Sequence, residues 1–526
     1  MPGAQPDLPV ELILQILELT DSPTALKNAA LCSKSWNTLV TPLLYRRVDI
    51  TVEIDKSSEY PNGIHTLQNL TRLFLQKPDI AARVRHFSLR VAVAFRAIEI
   101  TFGTWEETDE ERERRLHAQH SVDALLALLL PYLRNVVTLD IGAPQQEYVS
   151  NVLDSMDQQA FPKLHSFLWV VDGCNTPPLL APFQLPSIKS IYYCYNQGGH
   201  EWEDFDLSRA QPRSSGCTLL ELRDCPLSPT ALNAIIQIPV ALKILVVEFQ
   251  YRRFHMRTPP GPQRRCDMIT ALRDAIEYHK ATLEVLSVIP TTHYSIRSWK
   301  TMASLRDFHK LRHLSIHSGV VFESDTATSY DWEVEAEVDP DAYKNLVDFL
   351  PPQLEVLHFA PASRYDDPAV EIVPYQGLQD LLNKRAASFP SLKRVIYDVQ
   401  KYNSLDESTR LQHLSELAAQ SGVAFTLRNI NLFILYADVG HEEWGWDTRA
   451  GIKWRAINCD YEGSDMFGKY REDYLYLGTE DDGRGITPWA RKPGINRPTS
   501  PDLADDSDQP DGHWYELGEG NIGGHD

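Results

Sequence analysis

Between residues 82 and 397 a short apolar pattern of the form L-x-x-L-x-L, with substitutions, keeps returning. It reads LRNVVTLDI (133–141), FPKLHSFLW (161–169), LPSIKSIYY (185–193), CTLLELRDC (217–225), ALKILVVEF (241–249), ATLEVLSVI (281–289), KLRHLSIH (310–317), PPQLEVLHF (351–359) and FPSLKRVIY (389–397), with ARVRHFSL (82–89) a weaker start. Alternation with period two predicts a short strand at each. Helical stretches lie between them, over 122–130, 228–236, 267–279, 342–350, 376–387 and 405–420. Taking one apolar position per strand, at 139, 167, 191, 222, 245, 286, 314, 357 and 395, the spacings are 28, 24, 31, 23, 41, 28, 43 and 38 residues. The shorter ones fit one strand and one helix per unit, and the longer ones require inserted loops. A single such unit cannot bury its own face, so the pattern predicts a stacked α/β solenoid with a parallel sheet. A doubly wound sheet is the competing reading, but no Gly-rich phosphate loop opens a helix. In a solenoid the polar positions between the apolar ones line the concave face. Asp140, Tyr192, Arg223, His313, Ser315, His358 and Arg394 form such a set, suited to protein recognition, although each such position is more often just a solvated strand residue.

The N-terminus follows another rule. LPVELILQILEL (8–19) packs seven apolar side chains into the ten positions from Val10 to Leu19. A helix starting near Pro9 leaves only Glu11, Gln15 and Glu18 as a polar stripe, so it must be covered on several sides. Ser22-Pro23 opens a second short helix, another turn or two carries Trp36 and Leu39, and Thr41-Pro42 is expected to restart the chain before Leu43, Leu44 and Tyr45. A unit of about 40 residues is too small to bury all these side chains, which leaves apolar surface for a partner. The alternative is a helical cap closing the domain that follows.

Leu8-Pro9, Glu11-Leu12, Ile16-Leu17, Leu26, Leu31-Cys32, Lys34, Trp36 and Leu39 together resemble the F-box, the segment that docks proteins onto the Skp-type adaptor of a cullin–RING (SCF) ubiquitin ligase. The likeness covers roughly residues 6 to 48. Ala25 departs from it where an acidic residue often stands, and Tyr45 where tryptophan is common. The resemblance implies adaptor binding through Leu8, Pro9, Leu12, Ile16, Leu17, Leu31, Trp36, Leu39 and Tyr45, no catalytic residue and no cofactor. With the repeats it extends to leucine-rich-repeat F-box proteins, the fungal type in particular on LRDCPLSPTALNAIIQIPVALKIL (222–245). It implies a non-catalytic subunit whose repeats hold a target protein. A non-catalytic repeat scaffold or adaptor-bound regulator outside ubiquitination is the runner-up, and an enzyme whose site is assembled from loops is the third reading.

Charge and composition narrow the partners. The chain has 526 residues and a formal charge of −21, which disfavours broad nucleic-acid or anionic-membrane binding. No apolar run approaches the roughly 20 residues of a membrane helix, and no signal peptide is evident, so the expected location is cytoplasm or nucleus. Seven cysteines without a C-x-x-C pair read as reduced thiols, with Cys32 expected as a small buried hydrophobe. One local exception to the acidity is YRRFHMRTPPGPQRRC (251–266), read as a loop. There Arg252, Arg253 and Arg257 are candidates for an acidic or phosphorylated peptide, the alternative being a solvated insertion. The acidic runs at 106–115 and 331–341 read as exposed. HEEW at 441–444 is not a zinc motif, because position 445 is glycine. The organisation expected is an F-box over 1–50, a leucine-rich-repeat-like domain over 51–435, an aromatic-rich cap or ligand-binding extension over 436–490, and an acidic, disordered tail over 491–526 that includes Ser500-Pro501.

Overall fold

Twelve strands lie side by side in chain order, each parallel to the next. They are β1 (Arg47–Asp55), β2 (His86–Ala94), β3 (Thr138–Ala143), β4 (Ser166–Val171), β5 (Ser190–Tyr195), β6 (Leu219–Arg223), β7 (Ile244–Phe249), β8 (Val285–Pro290), β9 (His313–His317), β10 (Val356–Ala360), β11 (Arg394–Gln400) and β12 (Ala424–Ile430). The structure is a computed structural model; it describes residues 9–20, 22–55, 63–94, 121–143, 147–155, 159–171, 180–195, 207, 210–223, 225, 227–249, 262–290, 302–321, 345–360, 368–400, 405–430, 446–447 and 452–453. Its α-helices are α1 (Val10–Glu18), α2 (Pro23–Cys32), α3 (Lys34–Leu44), α4 (Ile64–Gln76), α5 (Pro78–Ala81), α6 (121–129), α7 (Glu147–Ser155), α8 (Pro229–Gln237), α9 (Pro262–Ile276), α10 (Ser318–Val321), α11 (Asn345–Phe349), α12 (Pro368–Asn383), α13 (Arg385–Ser388) and α14 (Leu405–Gln420). The sheet is open, and its order never reverses, so it has none of the switch points of a doubly wound fold.

All three apolar positions of L-x-x-L-x-L face the helices. The first supplies Val84, Val136, Leu164, Ile188, Leu242, Leu283, Leu311, Leu354 and Leu392, and the fourth and sixth form two in-register ladders such as Leu139–Phe167–Ile191 and Ile141–Trp169–Tyr193. Together with helix residues such as Phe74, Leu126, Leu232, Leu272 and Leu414 they make one continuous core. Each unit leaves its two sides apolar, and stacking covers them. The register corrects one position of the repeat. Ile191 pairs with Leu220, and Leu220 with Leu245, so the strand position equivalent to 191 and 245 is 220 rather than 222. Leu222 sits on the other inward ladder, beside Tyr193 and Val247.

Two strands lie outside the segments read from the sequence. β12 has no helical spacer pattern after it, and β1 begins two residues after the end of α3, with Tyr45 in the first apolar position of a repeat. The remaining repeats use local devices to stay in register. Gly63, at φ +84°, precedes α4 and lies so close to β1 that an added Cβ would clash with the Thr51 carbonyl oxygen. Asp123 of α6 is fully buried and accepts from the backbone N–H groups of Tyr148 and Val149 at 2.7 and 3.1 Å, capping the start of α7. His279, also buried, bridges repeats: Nε2 lies 2.8 Å from the Ile236 carbonyl, while Nδ1 accepts from the Leu242 N–H at 3.4 Å.

The Arg-rich stretch 251–266 is only partly described. Helix α9 opens at Pro262, where proline needs no N–H, and so takes in Arg264 and Arg265, which the composition had placed in the loop. Arg252, Arg253 and Arg257 lie outside the described residues, as do both acidic runs. In the C-terminal unit, 441–526, the described residues are Trp446–Asp447 and Ile452–Lys453, a short antiparallel pair. The rest of the segments at 436–490 and 491–526 lies outside the description.

Candidate docking face

Helix α1 has two apolar stripes and can hide only one. Ile13 and Leu17, four residues apart, turn inward, and Leu17 is buried with Leu26, Ala30 and Val40 in a small cluster separate from the repeat core. Leu12, Ile16 and Leu19, at i, i+4 and i+7, share the opposite stripe. They are 44, 56 and 83 % exposed, and Val10 is 49 % exposed. On α2, Leu31 is 74 % exposed. Among the described residues ten large apolar side chains stand exposed, and these first two helices, with Leu19 capping the first, hold five of them.

The unit that presents this face is closed by local polar contacts. Ser22 Oγ accepts from the Ala25 N–H at 3.2 Å with Pro23 in the first turn, and Ser33 Oγ accepts from the Trp36 N–H at 3.2 Å. Asn37 Nδ2 donates to the Ala30 carbonyl at 3.3 Å and ties α3 to α2. Trp36 and Leu39 are half-buried, Trp36 against the small cluster. Helix α3 does not restart at Pro42 as expected but runs through it to Leu44. A proline in the last turn removes a single i→i−4 bond, which a helix end tolerates.

The residues named for adaptor binding thus divide. Pro9, Leu12, Ile16 and Leu31 are exposed; Trp36 and Leu39 are half-buried; Leu17 is beneath the surface. Tyr45 packs against the repeat core, because it occupies the first position of the first repeat. Leu8 lies outside the described residues. Val10 and Leu19, which no motif named, are exposed, and the i, i+4, i+7 spacing after Leu12 is the signal that finds Leu19. Cys32, expected to be buried, is exposed at the end of α2. Among the described cysteines the buried thiol is Cys217, pushed up to about 12 by burial.

The sheet face turned away from the helices is less open than its polar residues imply. Its middle row includes Asp140, Tyr192, Ser315 and His358, each 4 % exposed or less. β6, β7 and β8 read LLELR, ILVVEF and VLSVIP, the near-continuous apolar runs of strands buried on both faces. Tyr192 is buried beside Glu221, and both effects push its phenol up. Ser315 Oγ and His358 Nδ1 are hydrogen-bonded at 2.6 Å across β9 and β10. Arg223 is ion-paired with Glu221. His313 and Arg394 are half-buried, and burial brings the His313 imidazole down to about 4. Among the described residues no group of three or more His, Cys, Asp or Glu could hold a metal ion, and no helix is long and apolar enough to cross a membrane.

The helical unit defines the class. The F-box-like family model matches residues 5–51, the three helices and the start of β1. The chain is therefore an F-box-like domain followed by an open, parallel-strand α/β array consistent with leucine-rich-repeat-like units. No curated protein matches it. An F-box-like domain is in general a docking unit for Skp-type adaptors, within proteins that are typically non-catalytic receptors.

Proposed function

We propose that this protein is the substrate-recognition subunit of an SCF-type ubiquitin ligase, docking through α1–α3 on a Skp-type adaptor and holding a target protein on its repeats. The observation that carries the reading is the concentration of exposed aliphatic side chains, Val10, Leu12, Ile16, Leu19 and Leu31, in the F-box-like unit. The link between the two functions is short. Only Tyr45 and Arg46 separate α3 from β1, and Tyr45 packs on the repeat core while Leu43 and Leu44 pack on the helical cluster. A target on the array is then held at a set distance from the adaptor, and the contribution to rate is proximity, with bond chemistry left to the rest of the ligase. Arg223, His313 and Arg394 are the half-buried candidates for target contact on the sheet, with Arg252, Arg253 and Arg257 in the stretch of sequence that follows β7. The reading places the protein in cytoplasm or nucleus.

Co-purification with a Skp-type adaptor, followed by reconstitution with cullin and RING subunits, tests the docking half. Affinity proteomics with a bait lacking residues 1–44 tests the receptor half: targets accumulate on the bait, and the same proteins are stabilised when the gene is deleted. A bait that captures proteins whose lifetimes do not change on deletion would favour a scaffold.

A further inference from the structure

The second position of L-x-x-L-x-L belongs neither to the core nor to the outer sheet face. Its residues form a row along the N-terminal rim of the sheet, joined by a repeated backbone clasp. The Arg46 carbonyl accepts from the N–H groups of Arg85 and His86 at 2.8 and 3.0 Å, the His165 carbonyl from Lys189 and Ser190 at 2.8 and 2.9 Å, and the Lys243 carbonyl from Glu284 and Val285 at 2.7 and 2.9 Å. From β1 to β7 the row reads Arg46, Arg85, Val137, His165, Lys189, Thr218 and Lys243, with no carboxylate. From β8 to β11 it reads Glu284, Arg312, Glu355 and Lys393 and neutralises itself. Glu355 pairs with Lys393 at 2.6 Å and with Arg312 at 3.5 Å, which holds its carboxyl below the usual range.

A row of seven positions with four cations and no carboxylate, in a chain of formal charge −21, calls for a cause. Helix macrodipoles favour cations in the last turn, yet the last turns of α4, α7 and α8 carry none. The charge sits beyond them, at the strand starts. Arg85 is held by the Asn135 carbonyl and Lys243 by Glu284. Lys163, two residues before His165, and Lys189 are exposed and belong to none of the ion pairs among the described residues.

We propose that the β1–β7 half of this rim binds an extended acidic segment of a target protein, an inference that rests on the receptor reading above. Strands about 4.8 Å apart make the half-row roughly 29 Å long, which an extended segment spans in about nine residues at ~3.3 Å each. A short acidic segment feels chiefly the local row, because charges farther away than a Debye length of about 10 Å are screened. A long polyanion also meets the acidic remainder of the surface, which is why a protein segment is preferred to nucleic acid.

The test uses the full chain and a fluorescein-labelled twelve-residue peptide of alternating Glu and Ser, read by fluorescence anisotropy. Binding is expected at low salt, lost between about 0.05 and 0.5 M salt as screening shortens. Lys163→Glu with Lys189→Glu weakens it about tenfold, as two exposed attractions become repulsions. Lys393→Glu on the self-paired half changes it less than about twofold. Adaptor binding and the urea unfolding midpoint of the double variant stay at the unmodified level and certify that both the helical unit and the array fold. Three outcomes overturn the proposal: adaptor binding without peptide binding in the unmodified protein, a greater loss on reversing Arg252, Arg253 and Arg257 than on reversing the two lysines, or equal lysine-dependent affinity for a single-stranded DNA 12-mer. Peptide binding without adaptor binding would remove the ligase reading and leave the rim as an acidic-segment site.

Discussion

Leu31→Ala separates an interface residue from a core residue. Leu31 is 74 % exposed, so truncating it in the free protein removes little buried area and no cavity forms, and α2 keeps a good helix former. Stability should stay within about 0.5 kcal/mol of the unmodified protein. In the adaptor complex the same side chain would be covered. Full burial of a leucine contributes about 1.5–3 kcal/mol, so the exposed fraction corresponds to roughly 1–2 kcal/mol, or a dissociation constant weaker by about 6- to 40-fold. The five exposed aliphatic residues together leave about three whole side chains in water, which sets a ceiling of about 5–9 kcal/mol for the apolar part of docking. Leu17→Ala is the contrasting variant. Leu17 is 7 % exposed within the helical cluster, and its truncation should cost about 2–5 kcal/mol of domain stability. Surface plasmon resonance against immobilised Skp-type adaptor, with thermal unfolding in parallel, reads both quantities. If Leu31→Ala binds the adaptor as tightly as the unmodified protein, or unfolds several degrees earlier, the assignment of this face to docking is wrong.

The remaining predictions concern the array. Gly63→Ala should destabilise by more than about 2 kcal/mol in urea unfolding, since a left-handed φ is combined with a clash against the Thr51 carbonyl. Gly422→Ala, at φ +70° with nothing within 4 Å, should cost only about 1 kcal/mol. Asp123→Ala uncaps the Tyr148 and Val149 N–H groups and should cost about 2–4 kcal/mol, seen as early hydrogen exchange in α7. His86, His279 and His313 all have imidazoles held below 6.5, desolvation being the first cause in each. The unfolded chain therefore takes up their protons first: stability is full above pH 6.5 and falls as the pH drops toward about 4, the folded value of His313. His313 accounts for at most about 3 kcal/mol of that fall, and His313→Gln should lose correspondingly less between pH 7 and 4 in urea midpoints.

Much of the fold was legible without coordinates. The fourth and sixth positions of L-x-x-L-x-L turn inward because residues of one parity share a face of the strand, while the first lies in the turn that enters the strand. The apolar excess of the first helix likewise implied exposed apolar surface, because so small a unit cannot enclose it. Four things were not legible. Both stripes of α1 are equally apolar, so periodicity could not say that Leu17 turns inward and Leu12, Ile16 and Leu19 outward; packing against α2 and α3 decides it. In LLELR either Leu220 or Leu222 satisfies the pattern, and only pairing with Ile191 and Leu245 selects Leu220. The burial of Asp140, Tyr192 and His358 depends on what neighbours a strand face, a property of the assembled array. The rim of cations is the plainest case, since its members stand 24 to 80 residues apart in the chain where they neighbour one another along it, or skip a strand. Local sequence determines which positions repeat; the stacking of units determines which charges become neighbours.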